Sequence, residues 1–107
     1  MLKKDDLIYN EKEALTFKEY IDNLIIDDYI FNYSYNGIFK FLREHDYIYY
    51  NDDKRNIPNK QYIDLGYFKM ELSNNDKFYI IHILEKGKNF LKDLFLKNNI
   101  MTIPIGR

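Results

Sequence analysis

Asn36, Lys40 and Arg43 follow one another at spacings of four and three, which on a helix puts them on one side. That trio has the chemistry of duplex recognition: an Asn pairs bidentately with adenine, an Arg with guanine, and a Lys meets phosphate. The same face also reads as a solvated helix surface, with Arg43 held by Asp46 or Glu44 in support of the fold. A second polar group, Lys54, Arg55, Asn56, Asn59, Lys60 and Gln61, reads as a loop whose cations would track phosphates. Asp52 and Asp53 beside it dilute that field, so a plain solvated loop is the competing reading.

Other chemistries find no support. There is no Cys, which excludes disulfides and thiolate metal sites. His45 and His82 lie far apart without ligand spacing; His45 is expected near a helix end and His82 at a strand edge. The pairs Asp5-Asp6, Asp27-Asp28 and Asp52-Asp53 are sequence neighbours in loop-like segments, whereas catalytic carboxylates must converge in a cleft. Ser34 and Ser73 lack a nucleophile-elbow context, and no Gly-rich phosphate loop occurs. The expectation is a protein that binds a macromolecule, with no enzymatic activity, cofactor or metal. The 11 Tyr suit either stacking on single-stranded bases or, at their helix and strand spacing, a core or interface.

The elements that must position these residues follow from periodicity. Thr16-Phe17-Lys18-Glu19 is a capping-box pattern, and Phe17, Tyr20, Ile21, Leu24 and Ile25 share a helical face, predicting a helix over 16–25. A shorter helical piece is expected at Glu11–Leu15. Residues 27–35 read as a loop or turn with Tyr29, Ile30 and Phe31 packing inward. Asn36-Gly37 is a turn signal, after which Ile38, Phe39, Phe41 and Leu42 predict a second helix over 36–45. Residues 47–50 have strand composition, 51–58 read as a loop fixed by Pro58, and Gly66 is expected to turn the chain with positive φ. Residues 67–72 and 77–83 read as a hairpin. Leu84, Leu91, Leu94 and Phe95 mark a last helix over 85–98, in which Gly87 costs helix propensity. The tail from residue 99 to 107 is expected to add a strand, pack on the core or contact a partner. The fold class is therefore α+β: a small single-domain winged helix-turn-helix over 1–107, with a β-hairpin wing and a C-terminal helix, its second helix placed to enter a groove.

Two stretches also carry a family resemblance. In SYNGIFKFLREHDYIYY the residues are Asn36, Leu42, Arg43 and Tyr47; in NIPNKQYIDLGYF they are Pro58, Gln61, Tyr62, Ile63, Asp64, Gly66 and Phe68. Both resemble the carboxy-terminal domain of phage antirepressors, the KilA carboxy-terminal or antirepressor domain. Lys86-Gly87 followed by Phe90-Leu91 is similar to the family's closing helix start, although Leu84-Glu85 stands where a Thr is usual. The resemblance covers about 14–97. It implies a phage or mobile-element regulator of transcription in the cytoplasm of a bacterial host cell. It also implies a structural role for Arg43. In the family this domain commonly sits behind an amino-terminal regulatory domain, whereas this sequence reads as a stand-alone copy.

Charge gives a second candidate function. The net charge of −1 hides a gradient: residues 1–35 carry four Lys against eight acidic groups, residues 77–107 six basic against two. A single basic nucleic-acid domain is usually more positive. Two expectations result. One is an antirepressor-like regulator that binds double-stranded DNA through Asn36, Lys40, Arg43, Lys54, Arg55, Asn59, Lys60 and Gln61, as a possible homodimer. The other is an interaction module that binds and inhibits a protein partner, such as a repressor or a host defence complex, in the manner of an anti-CRISPR. No run of about 18 apolar residues and no signal-peptide stretch is present, so no membrane partner is expected.

Overall fold

The computed structural model describes residues 14–75 and 77–103. The expected helical piece at Glu11–Leu15 lies almost wholly outside them, and Leu15 itself opens a strand.

The chain runs β1 (Leu15–Thr16), α1 (Phe17–Ile26), β2 (Ile30–Phe31), α2 (Tyr35–Glu44), β3 (Ile48–Tyr50), β4 (Asn56–Pro58), α3 (Lys60–Asp64), β5 (Phe68–Leu72), β6 (Tyr79–Ile83), α4 (Glu85–Lys97) and β7 (Met101–Thr102). The architecture is mixed α+β. Three antiparallel sheets result: β1-β6-β5, the β3-β4 hairpin and the β2-β7 pair.

The capping box forms as predicted. Thr16 Oγ1 accepts the Glu19 N–H at 3.2 Å, and Glu19 Oε1 accepts the Thr16 N–H at 3.0 Å. Two orphan donors of α1 are thereby satisfied. The second helix starts earlier than its turn signal suggests. Ser34 is its cap, accepting the Gly37 N–H at 3.1 Å, so Asn36-Gly37 lies in the first turn of α2 and not ahead of it. A hydroxyl that satisfies a helix donor outweighs a local Asn-Gly preference.

All four described helices end the same way. A residue in the left-handed region follows each C-cap: Asp28 (φ 72), Asp46 (φ 61), Gly66 (φ 81) and Asn99 (φ 58). Its N–H, and that of the residue after it, reach back to carbonyls in the last turn. Examples are Asp46 to Arg43 O and Tyr47 to Leu42 O, and Asn99 to Leu96 O and Ile100 to Phe95 O. This is the Schellman arrangement, which satisfies terminal carbonyls and points the chain back along the helix. It turns Tyr29, Tyr47, Tyr67 and Ile100 inward, where each is buried or half-buried.

Residues 51–58 are not wholly a loop, since β4 pairs with β3 in the register Ile48↔Pro58, Tyr49↔Ile57, Tyr50↔Asn56. The Asn59 N–H bonds Tyr47 O at 3.1 Å. Ile48↔Pro58 therefore falls at a non-bonded pair, where a missing N–H costs nothing in the ladder. Residues 60–64, expected to lead simply into the Gly66 turn, form the short helix α3. The β5-β6 hairpin is as predicted, with Phe68↔Ile83 and Met70↔Ile81 on its core face. Ile30, expected to pack inward, is 45% exposed because β2 turns Phe31 to the core instead. The tail adds a strand and also packs: Ile30↔Thr102 and Phe31↔Met101 pair, and Ile100 and Met101 are fully buried. Residues 104–107 lie outside the described range.

The core joins Ile21 and Leu24 of α1, Ile38 and Leu42 of α2, Phe68 and Ile83 of the sheet, and Leu91 and Phe95 of α4. Each such side chain contributes about 1.5–3 kcal/mol on burial. Gly87 has a packing reason. A Cβ there would stand 2.1 Å from Tyr67 O, the oxygen that accepts the Leu84 N–H at the start of α4. The propensity cost is outweighed by this close approach of helix and strand.

Candidate functional site

The eight residues singled out for DNA contact fall into two groups. Asn36, Lys40 and Arg43 line one side of α2, the first two exposed and Arg43 half-buried. Lys54 and Arg55 sit exposed at the turn of the β3-β4 hairpin. This turn lies beside α2, because Phe39, Lys54 and Arg55 line one cleft. Asn59, Lys60 and Gln61 lie past the far end of β4, roughly 10 Å along the strand from the turn. A single 51–61 loop running along phosphates is therefore divided by β4 into two separate places.

Several of these side chains already have partners. The Arg43 guanidinium lies 4.1 Å from the centre of the Tyr50 ring, and its Nη1 donates to Asn56 Oδ1 at 2.9 Å. Arg43 thus holds the hairpin to α2, through Tyr50 and Asn56 and not through the expected Asp46 or Glu44. Arg55 lies 3.9 Å from the Phe78 ring centre and ties the hairpin turn to the start of β6. Asn59 donates its amide to Asp46 O, fastening α3 to the end of α2. Lys60 pairs with Asp64 at 2.8 Å, and this hydrogen bond holds its ammonium pKa above the ordinary lysine value. The Asn36, Lys40, Lys54 and Gln61 side chains have no ion pair or hydrogen bond among the described residues. Pro58 is buried in β4, and Gly66 has φ 81 at the end of α3.

The cleft between α2, the hairpin turn and β6 has a volume of about 280 Å³. Phe17, Phe39 and Ile81 give it an apolar floor, and Lys18, Lys54 and Arg55 stand around it. Lys18 is anchored to Asp22 at 3.1 Å. Asp22 is a carboxylate only 6% exposed that also accepts the Tyr35 hydroxyl, so one buried acid joins α1 to the start of α2. Burial, first, and this bond to Asp22 push the Tyr35 phenol pKa well above its usual value. No single motif marks the cleft, because its walls come from four separate segments. Of its polar lining, Lys54, Arg55 and Asn56 were legible in advance as one group.

Other candidates stay structural. His45 packs on the Phe41 ring at 4.3 Å, and His82 Nε2 lies 3.8 Å from a Glu71 oxygen. Among the described residues no three His, Asp or Glu side chains converge as metal ligands, and no helix is long and apolar enough to cross a membrane. Tyr47, Tyr62, Tyr67 and Phe90 pack ring on ring, with centroids 4.6–6.3 Å apart. Half of the expected tyrosine alternatives, packing, is thus realised for these residues.

The Asn, Leu-Arg, Pro and Gln-Tyr-Ile-Asp residues all fall within the helix–hairpin–helix–hairpin order that follows Ser34. The family model of the phage antirepressor protein KilAC domain matches residues 2–98. The chain belongs to that family. No curated protein and no solved structure matches it. In this KilAC domain the motif residues act mainly as joints: Arg43 clamps α2 to the first hairpin, Pro58 fits its non-bonded strand position, and Gly66 ends α3. Strand β7 lies beyond the matched span.

Proposed function

We propose that this KilAC domain is an antirepressor-like transcriptional regulator that binds double-stranded DNA, with α2 at the major groove and the β3-β4 hairpin as the wing. The observation that carries this reading is the Arg43 clamp. By stacking on Tyr50 and bonding Asn56, Arg43 makes α2 and the hairpin one rigid unit. The unpaired Asn36, Lys40 and Lys54 are then presented together from it. Arg43 serves position more than readout, and Asn36 is left as the base-reading candidate. Phosphate contact falls to Lys40, Lys54 and Arg55. Asn59, Lys60 and Gln61 are set apart from them and contribute little. In this reading the winged-helix comparison rests on α2 and the first hairpin, and a homodimer would present two such units.

The test is a titration of random-sequence duplex DNA across a salt series. Three phosphate contacts predict an affinity loss of roughly 40-fold between 50 and 200 mM salt. Lys40→Glu and Lys54→Glu should each weaken binding and flatten the salt slope, while Lys60→Glu should not. No binding at low salt, or equal sensitivity to Lys60→Glu, sinks the reading.

The second reading, an interaction module that inhibits a protein partner, is favoured by one observation: the apolar floor of the cleft, which a DNA backbone does not need.

A further inference from the structure

The three-stranded sheet is incomplete along one margin. β1 lies beside only Ile83 and His82 of β6, after which the chain turns away into α1. Tyr79–Ile81 therefore continue with no strand hydrogen-bonded on that side among the described residues, and β4 packs close to β6 without pairing with it. The Ser73 N–H donates to Phe78 O at 2.8 Å, and Leu72 stands opposite Tyr79. In an antiparallel ladder this makes Tyr79 a non-bonded position towards β5, so its own N–H and C=O turn to the open margin. Tyr79 is 57% exposed there.

That margin forms one wall of the cleft described above. Phe17 and Phe39 supply apolar surface below it, and Lys18, Lys54 and Arg55 bring positive charge to its rim, while no carboxylate lines it. Two uncharged polar side chains in the lining are already engaged: Thr16 Oγ1 accepts from Glu19, and Asn56 Oδ1 accepts from Arg43. An unpaired strand margin, an apolar floor and a positive rim together fit an extended chain with apolar side chains turned down and acidic ones turned out.

We propose that the cleft binds an acidic, extended peptide segment of a protein partner, added as a strand to the margin of β6 beyond β1. Backbone hydrogen bonds to the margin supply alignment, the aromatic floor takes alternate apolar side chains, and Lys54 and Arg55 select for carboxylates. This site shares Lys54 and Arg55 with the surface proposed for duplex contact but does not include Asn36 or Lys40 of α2.

The probe is a fluorescein-labelled octapeptide alternating Val and Glu with one central Phe. Two counterparts accompany it, one with Lys in place of Glu and one N-methylated at alternate backbone amides. Fluorescence anisotropy measures affinity, and amide chemical-shift mapping on the full chain gives the location. The proposal expects saturable binding, at least tenfold weaker for the Lys and N-methylated peptides, with shifts concentrated at Tyr79–Ile81. Arg55→Glu should weaken it about fivefold or more without moving the melting temperature by more than a few degrees. Tyr79→Pro should abolish it, since Pro is tolerated where the N–H is outside the ladder. Equal binding of the Glu and Lys peptides overturns the proposal, as does indifference to N-methylation. So does absence of binding at millimolar peptide, or capture of octathymidylate in the cleft in place of the peptide. The duplex titration is read separately, so either proposal can fail while the other stands.

Discussion

Gly87→Ala sets two forces against each other and fixes which one governs the start of α4. Helix propensity alone favours Ala over Gly by about 1 kcal/mol. The new Cβ, however, would sit 2.1 Å from Tyr67 O, 2.9 Å from Tyr67 C and 3.1 Å from Ile83 Cγ2. The nearest neighbours are backbone atoms, which cannot rotate away as a flexible side chain would. Relief requires helix and strand to part by more than about 1 Å, and overpacking of this kind costs about 1–3 kcal/mol or more. It also stretches the Leu84 N–H to Tyr67 O bond, now 2.9 Å. That bond is worth about 1 kcal/mol. The net expectation is a destabilisation of about 2 kcal/mol, or a fall in melting temperature of roughly 10 °C for a domain of this size. Thermal unfolding followed by circular dichroism at neutral pH reads it, with Asn89→Ala, an exposed position in the same helix, expected to rise slightly. A Gly87→Ala protein as stable as the parent, or more so, would refute the close-approach argument and leave propensity in charge.

Three further outcomes follow from the same geometry. Asp46→Gly should stabilise the fold by roughly 0.5–1 kcal/mol, because φ 61 is costly for a residue with a Cβ; chemical denaturation at constant slope measures it, and a loss of stability would show that the Asp side chain matters more than the backbone. Thr16→Ala should cost about 1 kcal/mol by opening the capping box, read by the same titration, and Thr16→Ser should recover most of it. Alkaline pH should weaken the fold. Burial raises the phenol pKa of Tyr20, Tyr35 and Tyr47 above the usual value, so above pH 10 the unfolded chain loses protons that the folded chain keeps. This stability is complete below pH 10 and declines as pH rises further. Tyr20→Phe should flatten the fall of melting temperature between pH 9.5 and 11.5, and an unchanged profile would remove Tyr20 from the account.

What could be read from the residues divides by the range of the forces involved. The capping box at Thr16 and Glu19, the alternation of Phe68 and Met70, and the apolar spacing of α4 are local, and they stand where expected; Leu72, at the hairpin end of the same alternation, is 47% exposed. Elements of two or three residues carry no period. β1, β2 and β7 exist only because a distant strand satisfies their backbone, and β4 contains a Pro that argues against a strand until its non-bonded register is known. α3 is five residues long and its Asn59 cap makes no side-chain bond. The site shows the same division. Lys40 and Lys54 were legible as cations, but the Arg43 stack on Tyr50 and the Asn56 bond depend on the hairpin register. The cleft draws on residues from Thr16 to Ile81, a combination that no local pattern announces.

The pairing of β2 with β7 has a consequence for the order of events during synthesis. Ile30 meets Thr102, and the Asn32 N–H bonds Ile100 O at 2.8 Å, so the connection between α1 and α2 is held by residues made about 70 positions later. β1 likewise waits for Ile83, and the Tyr20 hydroxyl for Lys88 O at 2.6 Å. A nascent chain carrying α1 and α2 alone would therefore lack the Phe95 ring against which Phe31 packs, and Phe17 would have Phe39 but not Phe68 beside it. Closure of the core is deferred until the last strand clears the ribosome, and these long-range contacts set the tempo of folding by loop closure and not by helix formation.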